Sequence, residues 1–153
     1  MSPLSLKALE IAIKQLGVQE IPRGSNAGPA VEKYLKSVGL GKGYAWCEAF
    51  VYWCYSEAGK ELGVVNPLKK TAGVLDQLNN SKKYVVKTPQ KGDLFIMDFG
   101  GGQGHIGFVN EAEVNTIQTV EGNSNDDGSR EGYEVCRKPN GRKTNTIKAF
   151  LRV

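Results

Sequence analysis

The pattern of hydrophobic and polar positions changes about halfway along this chain of 153 residues. In the first half, apolar residues recur at helical spacing, as in the stripe formed by Leu6, Leu9, Ile13 and Leu16. After Ser81 the apolar runs are short and are separated by Gly, Asn, Asp and Pro, which is typical of strands and turns. A series of helices followed by a series of strands predicts an α+β fold with an antiparallel sheet.

The helical half contains signals for four helices. Ser2 or Ser5 can cap the first helix, which we expect to stop at Gly17, and a loop rich in Gly and Pro follows over residues 21–29. The other helices are expected at residues 29–38, at 47–58 with Gly59 as the stop, and at 71–78 with Thr71 as the cap. Apolar residues cover most of the circumference of the third helix, so it should be central and buried.

The second half contains signals for six short strands. They are expected at residues 84–87, 94–99, 105–110, 115–120, 133–138 and 147–153. No internal repeat, low-complexity tract or linker interrupts the pattern. We therefore expect one domain over residues 1–153, with N-terminal helices packed on a C-terminal antiparallel sheet.

Charge and composition narrow the classes of partner. The net charge of +4 is spread along the chain and suits an anionic polymer, either nucleic acid or bacterial wall, but no nucleic-acid-binding signature is present. The N-terminus shows no secretory signal, and no stretch approaches membrane-spanning length. We expect a monomer made in the cytoplasm, without nucleic-acid partners or membrane insertion, that works inside the cell or leaves it by another route.

The three cysteines do not form a disulfide framework. Cys47 and Cys54 are about 10 Å apart along a helix axis, which is too far for a disulfide, so we expect reduced thiols. Zinc is the competing use, but no Cys-x-x-Cys pair exists, and we expect no metal ion. Cys54, in mid-helix, and Cys136, in mid-strand, are interpreted as core residues.

Cys47 stands at the first turn of its predicted helix, where free amides and the helix dipole stabilise a thiolate. A catalytic thiol needs a base, and His105 is the single histidine of the chain. It follows the glycine-rich residues 100–104, and the flanking Gly104 and Gly107 leave space for a substrate. By itself, Cys47 is equally compatible with a purely structural role, because free cysteine is often buried.

A third group would orient the imidazole. If the strand of His105 pairs antiparallel with the next strand, the end of the latter brings Glu121 or Asn123 close to the ring. Asn123 is equally compatible with an ordinary turn. The polar turn that follows, with Asp126 and Asp127, lacks the ligand spacing of an EF-hand, so a calcium loop is not expected.

Four motifs occur in order along the chain and together resemble one family. They are Trp-Cys-Glu-Ala-Phe-Val at residues 46–51, Pro-Gln-Lys-Gly-Asp-Leu-Phe at 89–95, Gly-His-Ile-Gly-Phe-Val at 104–109 and Glu-Gly-Asn at 121–123. This set resembles the CHAP family, the cysteine, histidine-dependent amidohydrolases/peptidases that cut bacterial peptidoglycan. The resemblance implies a papain-like α+β fold and an activity similar to that of a phage or prophage endolysin catalytic domain.

The resemblance also implies roles for individual residues. Cys47 would be the nucleophile, His105 the general base, and Glu121 and Asn123 the groups that orient the imidazole. Some members of the family bind calcium through acidic residues just before the cysteine. Residues 37–44 contain no carboxylate, so no cofactor or metal is expected here.

Several alternatives remain open. The chain could be a related NlpC-type peptidase, a non-catalytic wall-binding module of the same fold, or an antibacterial effector toxin with the same chemistry. The bond that is cut could be the N-acetylmuramoyl-L-alanine amide or one in the peptide stem or cross-bridge. We expect specificity to reside in groove residues, with candidates in loops 22–29 and 100–104 and at Trp46 and Arg130.

Overall fold

Helices precede a sheet, as the sequence predicts, and the α+β assignment is confirmed. The computed structural model describes residues 2–125 and 132–153. Its α-helices are α1 (Pro3–Lys14), α2 (Pro29–Ser37), α3 (Cys47–Leu62) and α4 (Val74–Asn79). Among the described residues, no helix has both the length and the apolar character needed to cross a membrane.

The strands form one antiparallel sheet. They are β1 (Val85–Val86), β2 (Leu94–Gly100), β3 (Gln103–Ala112), β4 (Thr116–Ser124), β5 (Glu134–Cys136), β6 (Arg142–Lys143) and β7 (Ala149–Leu151). Their order across the sheet is β1-β7-β2-β3-β4-β5, and β6 pairs with the opposite end of β4 from β5. The sequence pattern did not predict β6, because two charged residues carry no strand signal.

Several element boundaries differ from the expected ones. Ser2 caps α1 through its side chain, whereas Gly73 rather than Thr71 precedes α4. Helix α3 continues past Gly59, since an interior glycine costs only about 1 kcal/mol and burial of the helix outweighs it. Strand β4 continues through Glu121 to Ser124, because pairing with β5 extends it beyond the local apolar pattern.

Helix α3 is the central element of the helical layer. It contacts α1 and α2 on one side and strands β3 and β4 on the other. Aromatic rings join the two layers: Phe108 of β3 lies 6.3 Å from Phe50 and 6.2 Å from Tyr55, measured between ring centroids. The expectation of a buried third helix is confirmed, and its N-terminus is held against the sheet.

The two faces of the sheet pack against different apolar clusters. Ile106 and Phe108 belong to the core that contains α3, whereas Val109 packs with Ile117 and others in a second apolar cluster. Because successive side chains of a strand alternate between faces, His105 lies on the face of Val109. Glu121 shares the face of Ile117 for the same reason. His105 and Glu121 therefore lie on the same face of the sheet, the one that carries the second apolar cluster.

Helix α3 lies close to strand β4 at Gly122. A Cβ atom at this position would lie 2.7 Å from Cγ of Phe50, closer than two carbon atoms can approach without displacement. The absence of a side chain at Gly122 thus sets the spacing between the helix of Cys47 and the strand of Glu121.

Replacement of Gly122 by alanine is expected to lower the free energy of unfolding by about 1–3 kcal/mol, because it overpacks the contact with Phe50. Thermal or urea unfolding measures the change. Gly41→Ala is the matched control, since a Cβ there meets nothing within 4 Å. Equal stability of the two variants would contradict this account of the helix–sheet spacing.

Candidate active site

Cys47 is the first residue of α3, as predicted, and the core anchors the residue before it. Trp46 is fully buried, and its indole Nε1 donates a hydrogen bond of 2.8 Å to Oε2 of Glu20. The other oxygen of Glu20 accepts from the backbone N–H of Gly24 at 2.8 Å. These bonds connect the start of α3 to the loop after α1 and fix where the thiol lies.

The surroundings of the Cys47 thiol favour the thiolate. Burial by itself raises the pKa of the thiol, but the contact with His105 and hydrogen bonds from the backbone of Ile106 and Glu48 outweigh it and lower the pKa. The first-turn amides of a helix have no partners within the helix and add to this stabilisation. Cys47 therefore combines burial with a stabilised negative charge.

Glu48 lies next to the thiol, in surroundings that disfavour its charged form. Its side chain is fully buried, and Gln77 of α4 donates a hydrogen bond of 2.7 Å to its Oε1. Burial, reinforced by the charge of Cys47, raises the pKa of Glu48 well above its ordinary value. The site therefore disfavours a negative charge on Glu48 beside the thiolate.

His105 lies between the thiol and a carboxylate. Its Nε2 is 2.8 Å from Oε1 of Glu121, and because an ionised carboxylate only accepts, Nε2 carries the proton. Nδ1 is then the ring nitrogen left for Cys47. Burial lowers the pKa of His105, but Cys47 and Glu121 outweigh that effect and raise the pKa to about 9.

Glu121 is fully buried and accepts five hydrogen bonds. Besides His105, Thr119 Oγ1 donates at 2.7 Å, Ser124 Oγ at 2.9 Å, and Arg142 donates from Nε and Nη2 at 2.6 Å each. Burial raises the pKa of Glu121, but the bonds and charges of Arg142 and His105 hold it well below its ordinary range. The carboxylate of Glu121 is therefore ionised in the folded protein at neutral pH.

A β-bulge decides which neighbour reaches Glu121. Glu121 pairs with Cys136 and Ser124 with Glu134, so β4 contains one residue more than β5 between these pairs. The backbone of Asn123 has a φ of 52°, in the left-handed region. Because of the extra residue, Ser124 lies against Glu121, and Asn123 does not.

Asn123 instead lines the cavity in front of the thiol. This cavity has a volume of about 370 Å³, and Cys47, His105 and Arg142 are among its lining residues. Among the described residues, the side-chain contacts that support the imidazole come from Cys47 and Glu121. The predicted role of Asn123 in orienting the ring therefore stays a prediction.

The expected groove residues are only partly at this cavity. Gln103 and Gly104 line it together with Phe99, in agreement with the expectation for the glycine-rich loop. The expectation for Trp46 is wrong, because its side chain is fully buried and held by Glu20. Arg130 lies outside the described residues.

The remaining cysteines and acidic groups do not form a metal site where the structure describes them. Within residues 2–125 and 132–153, no cluster of three His, Cys, Asp or Glu side chains is arranged to hold a metal ion. Asp126 and Asp127, considered above for calcium, lie outside these ranges. Cys54 and Cys136 are buried free thiols whose pKa values are raised, chiefly by burial.

Several residues that build the site were missed in the sequence. Thr119 could have been found, since it precedes Glu121 by two positions and so shares its face of the strand. Arg142 carried no local signal, because any of the 20 Lys and Arg residues could in principle partner a buried carboxylate. Glu20, in the loop after α1, and Gln77, in α4, support the start of α3 from distant parts of the chain and likewise had no signal.

Comparison with known proteins agrees with this geometry. The family model described as CHAP domain matches residues 39–123, more than half of the chain. The chain belongs to the CHAP domain family. CHAP domains in general act on peptidoglycan as amidases or peptidases. The matched region contains Cys47, His105, Glu121 and Asn123 but ends before Arg142. No curated protein matches the chain.

The contact between Cys47 and His105 predicts an unusually reactive thiol. We expect the midpoint of the pH dependence of Cys47 alkylation by iodoacetamide to lie below 9.0, the ordinary thiol pKa, because the imidazolium stabilises the thiolate. In His105→Ala the midpoint should rise, since the pKa-raising effect of burial is then opposed only by the backbone hydrogen bonds of Ile106 and Glu48. At pH 7 the alkylation rate should fall about tenfold or more, one decade for each unit of pKa.

Mass spectrometry of the labelled protein identifies the reacting cysteine in this experiment. Cys54 and Cys136 serve as internal controls, because burial raises their pKa values and should keep them unlabelled. Identical pH profiles for the wild type and His105→Ala would contradict the pairing of thiol and imidazole.

Proposed function

We propose that this protein hydrolyses an amide bond in the peptide part of bacterial peptidoglycan through a cysteine nucleophile. One observation carries the proposal: the Cys47 thiol contacts His105, whose Nε2 is hydrogen-bonded to the buried carboxylate of Glu121. A nucleophile, a base and a group that orients the base are the three parts that thiol hydrolases require. Membership in the CHAP family indicates peptidoglycan as the polymer.

In the first half-reaction, His105 holds the proton released by Cys47, and the thiolate attacks the carbonyl carbon of the amide. A C–S bond forms, and the carbonyl oxygen becomes an oxyanion. The backbone N–H of Cys47, in the first turn of α3, is available to stabilise that oxyanion. His105 then gives its proton to the amine nitrogen as the C–N bond breaks, which leaves a thioester.

In the second half-reaction, water replaces the amine. His105, now neutral, takes a proton from the water at Nδ1 while the oxygen attacks the thioester carbon. The C–S bond breaks, the acid product leaves, and the thiolate–imidazolium pair forms again. Glu121 keeps the ring in one orientation and stabilises its charged form throughout.

The described lining of the cavity suits an extended peptide. Amide side chains of Gln103 and Asn123 line it and can hydrogen-bond the backbone of a bound peptide, which is a role we propose for Asn123 besides the orienting role expected from the sequence. Lys138 and Arg142 line it as well and favour substrates that carry carboxylates. We propose that the protein meets this substrate at the cell wall, after release or export from the cytoplasm.

Replacement of Cys47 by serine or alanine should lower the rate of cell-wall lysis by about a thousandfold or more, because no other thiol contacts His105 among the described residues. Clearing of a purified peptidoglycan suspension measures the rate, and circular dichroism checks that the fold is retained. Cys54→Ser is the matched control on the same helix and should keep activity at the wild-type level.

Retained lysis by Cys47→Ala would contradict the proposed nucleophile. A wild-type protein that binds peptidoglycan without releasing fragments, and whose Cys47 resists alkylation at neutral pH, would instead identify a non-catalytic wall-binding module.

The bond that is cut can be read from the products. We expect new amino termini at the same rate as the loss of turbidity, since each cleavage of an amide leaves one amine. Mass spectrometry of the fragments distinguishes the sites: alanine released from muramic acid identifies an amidase, and free stem or cross-bridge termini identify an endopeptidase. Release of reducing sugar ends without new amines would contradict amide cleavage.

A further inference from the structure

Arg142 reaches the buried Glu121 from a strand that the family match does not include. Strand β6 pairs with β4 through Ile117 and Arg142, and Arg142 donates from Nε and Nη2 to the two oxygens of Glu121 at 2.6 Å each. Such a two-bond fork fixes both the position and the plane of a carboxylate. The Arg142 side chain is 18% exposed, so it also borders the cavity in front of Cys47.

The backbone before Arg142 is built for this approach. Gly141 has a φ of 64°, and a Cβ atom there would lie 2.4 Å from the carbonyl oxygen of Ile117, so glycine is required in this turn. The guanidinium of Arg142 lies 5.6 Å from the ring centroid of Phe95, whose ring centroid is 6.0 Å from that of His105. Arg142 is thus positioned by the ring of Phe95, which lies near its guanidinium, and by the pairing of β6 with β4.

We propose that Arg142 is a positioning residue for the hydrolytic site: its fork on Glu121 holds the carboxylate in the orientation that supports the imidazole of His105. This inference rests on the proposed function, in which His105 serves Cys47. Thr119 donates to Oε2 and Ser124 to Oε1 of Glu121, but each hydroxyl makes a single uncharged hydrogen bond. The two charge-assisted bonds from one planar guanidinium constrain the plane of the carboxylate more strongly.

A second function of Arg142 would act in the opposite direction. As a cation near Glu121, it offsets part of the negative charge that stabilises the imidazolium. If Arg142 acted only as a countercharge, its removal would strengthen the imidazolium and speed the reactions of Cys47 at neutral pH. If it positions Glu121, removal weakens the imidazolium and slows them. The two effects therefore differ in sign.

Alkylation of Cys47 by iodoacetamide, measured from pH 5 to 10 on the full chain, tests the proposal. In Arg142→Met we expect the rate at pH 7 to fall about tenfold, the size typical of losing a buried charge-assisted hydrogen bond, and the midpoint to move to higher pH. Arg142→Lys, which keeps the charge but not the fork, should show a fall of about threefold. A rate unchanged or raised in either variant would overturn the proposal, and the lysine variant decides if the methionine variant does not fold.

The chain offers a matched control for a purely structural effect. Arg152 makes the same kind of fork on Asp93, with Nε donating to Oδ1 at 3.0 Å and Nη2 donating to Oδ2 at 2.9 Å, and it does not line the cavity in front of Cys47. Arg152→Met should lower thermal stability yet leave the alkylation midpoint of Cys47 unchanged. An equal shift in both variants would show that loss of stability alone moves the midpoint, and would overturn the proposal.

Two further measurements tie the effect to Glu121. In a Glu121→Gln background, Arg142→Met should cause no additional fall in the alkylation rate, because the two residues act as a unit. In Arg142→Ala, millimolar guanidinium chloride should restore part of the rate, since the vacated position borders the open cavity. Additive losses in the double variant, or no recovery with guanidinium, would count against positioning through Glu121.

These results are separable from the test of the proposed function. Alkylation reports on Cys47 without any substrate, so it remains informative if peptidoglycan is not cut. Loss of lysis in Cys47→Ala together with unchanged alkylation in the Arg142 variants would refute only the positioning role. Retained lysis in Cys47→Ala would refute the proposed function itself.

Discussion

A fully buried carboxylate, that of Glu121, must be balanced by hydrogen bonds and positive charge, because burial of an unpaired charge costs several kcal/mol. The balancing groups come from three strands: His105 from β3, Thr119 and Ser124 from β4 itself, and Arg142 from β6. Each strand must therefore keep its register for the carboxylate to be tolerated. The chemistry of the site and the assembly of the sheet depend on the same five bonds.

The nucleophile belongs to the other layer of the fold. Cys47 heads α3, and its distance from the sheet is set by contacts that involve no catalytic group, above all the close approach of Phe50 to Gly122 and the bond from Trp46 to Glu20. Thiol and imidazole thus meet only when the helical layer and the sheet are both in place. Protein interiors are densely packed, so such a meeting point tolerates little displacement.

Charges alternate between neighbouring groups of the site. Thiolate, imidazolium, carboxylate and guanidinium follow one another at Cys47, His105, Glu121 and Arg142. Each group lies beside a group of opposite sign, which allows four ionised side chains in a mostly buried place. The carboxyl group of Glu48, directly after the thiol, would interrupt this alternation if it were ionised, and its burial disfavours ionisation by raising its pKa.

Local sequence determined the order of helices and strands and the place of Cys47 at a helix start, because periodicity and helix ends are properties of neighbouring residues. The choice of His105 as the partner of Cys47 rested instead on its being the single histidine of the chain. It left Glu121 and Asn123 as equal candidates beside His105. Only the tertiary structure shows that Glu121 lies within hydrogen-bond distance of His105, and that an extra residue in β4 places Ser124 rather than Asn123 against Glu121. The orienting role predicted for Asn123 stays a prediction. Arg142 likewise became visible only through the pairing of β6 with β4, because strand pairing brings together residues that no local pattern relates.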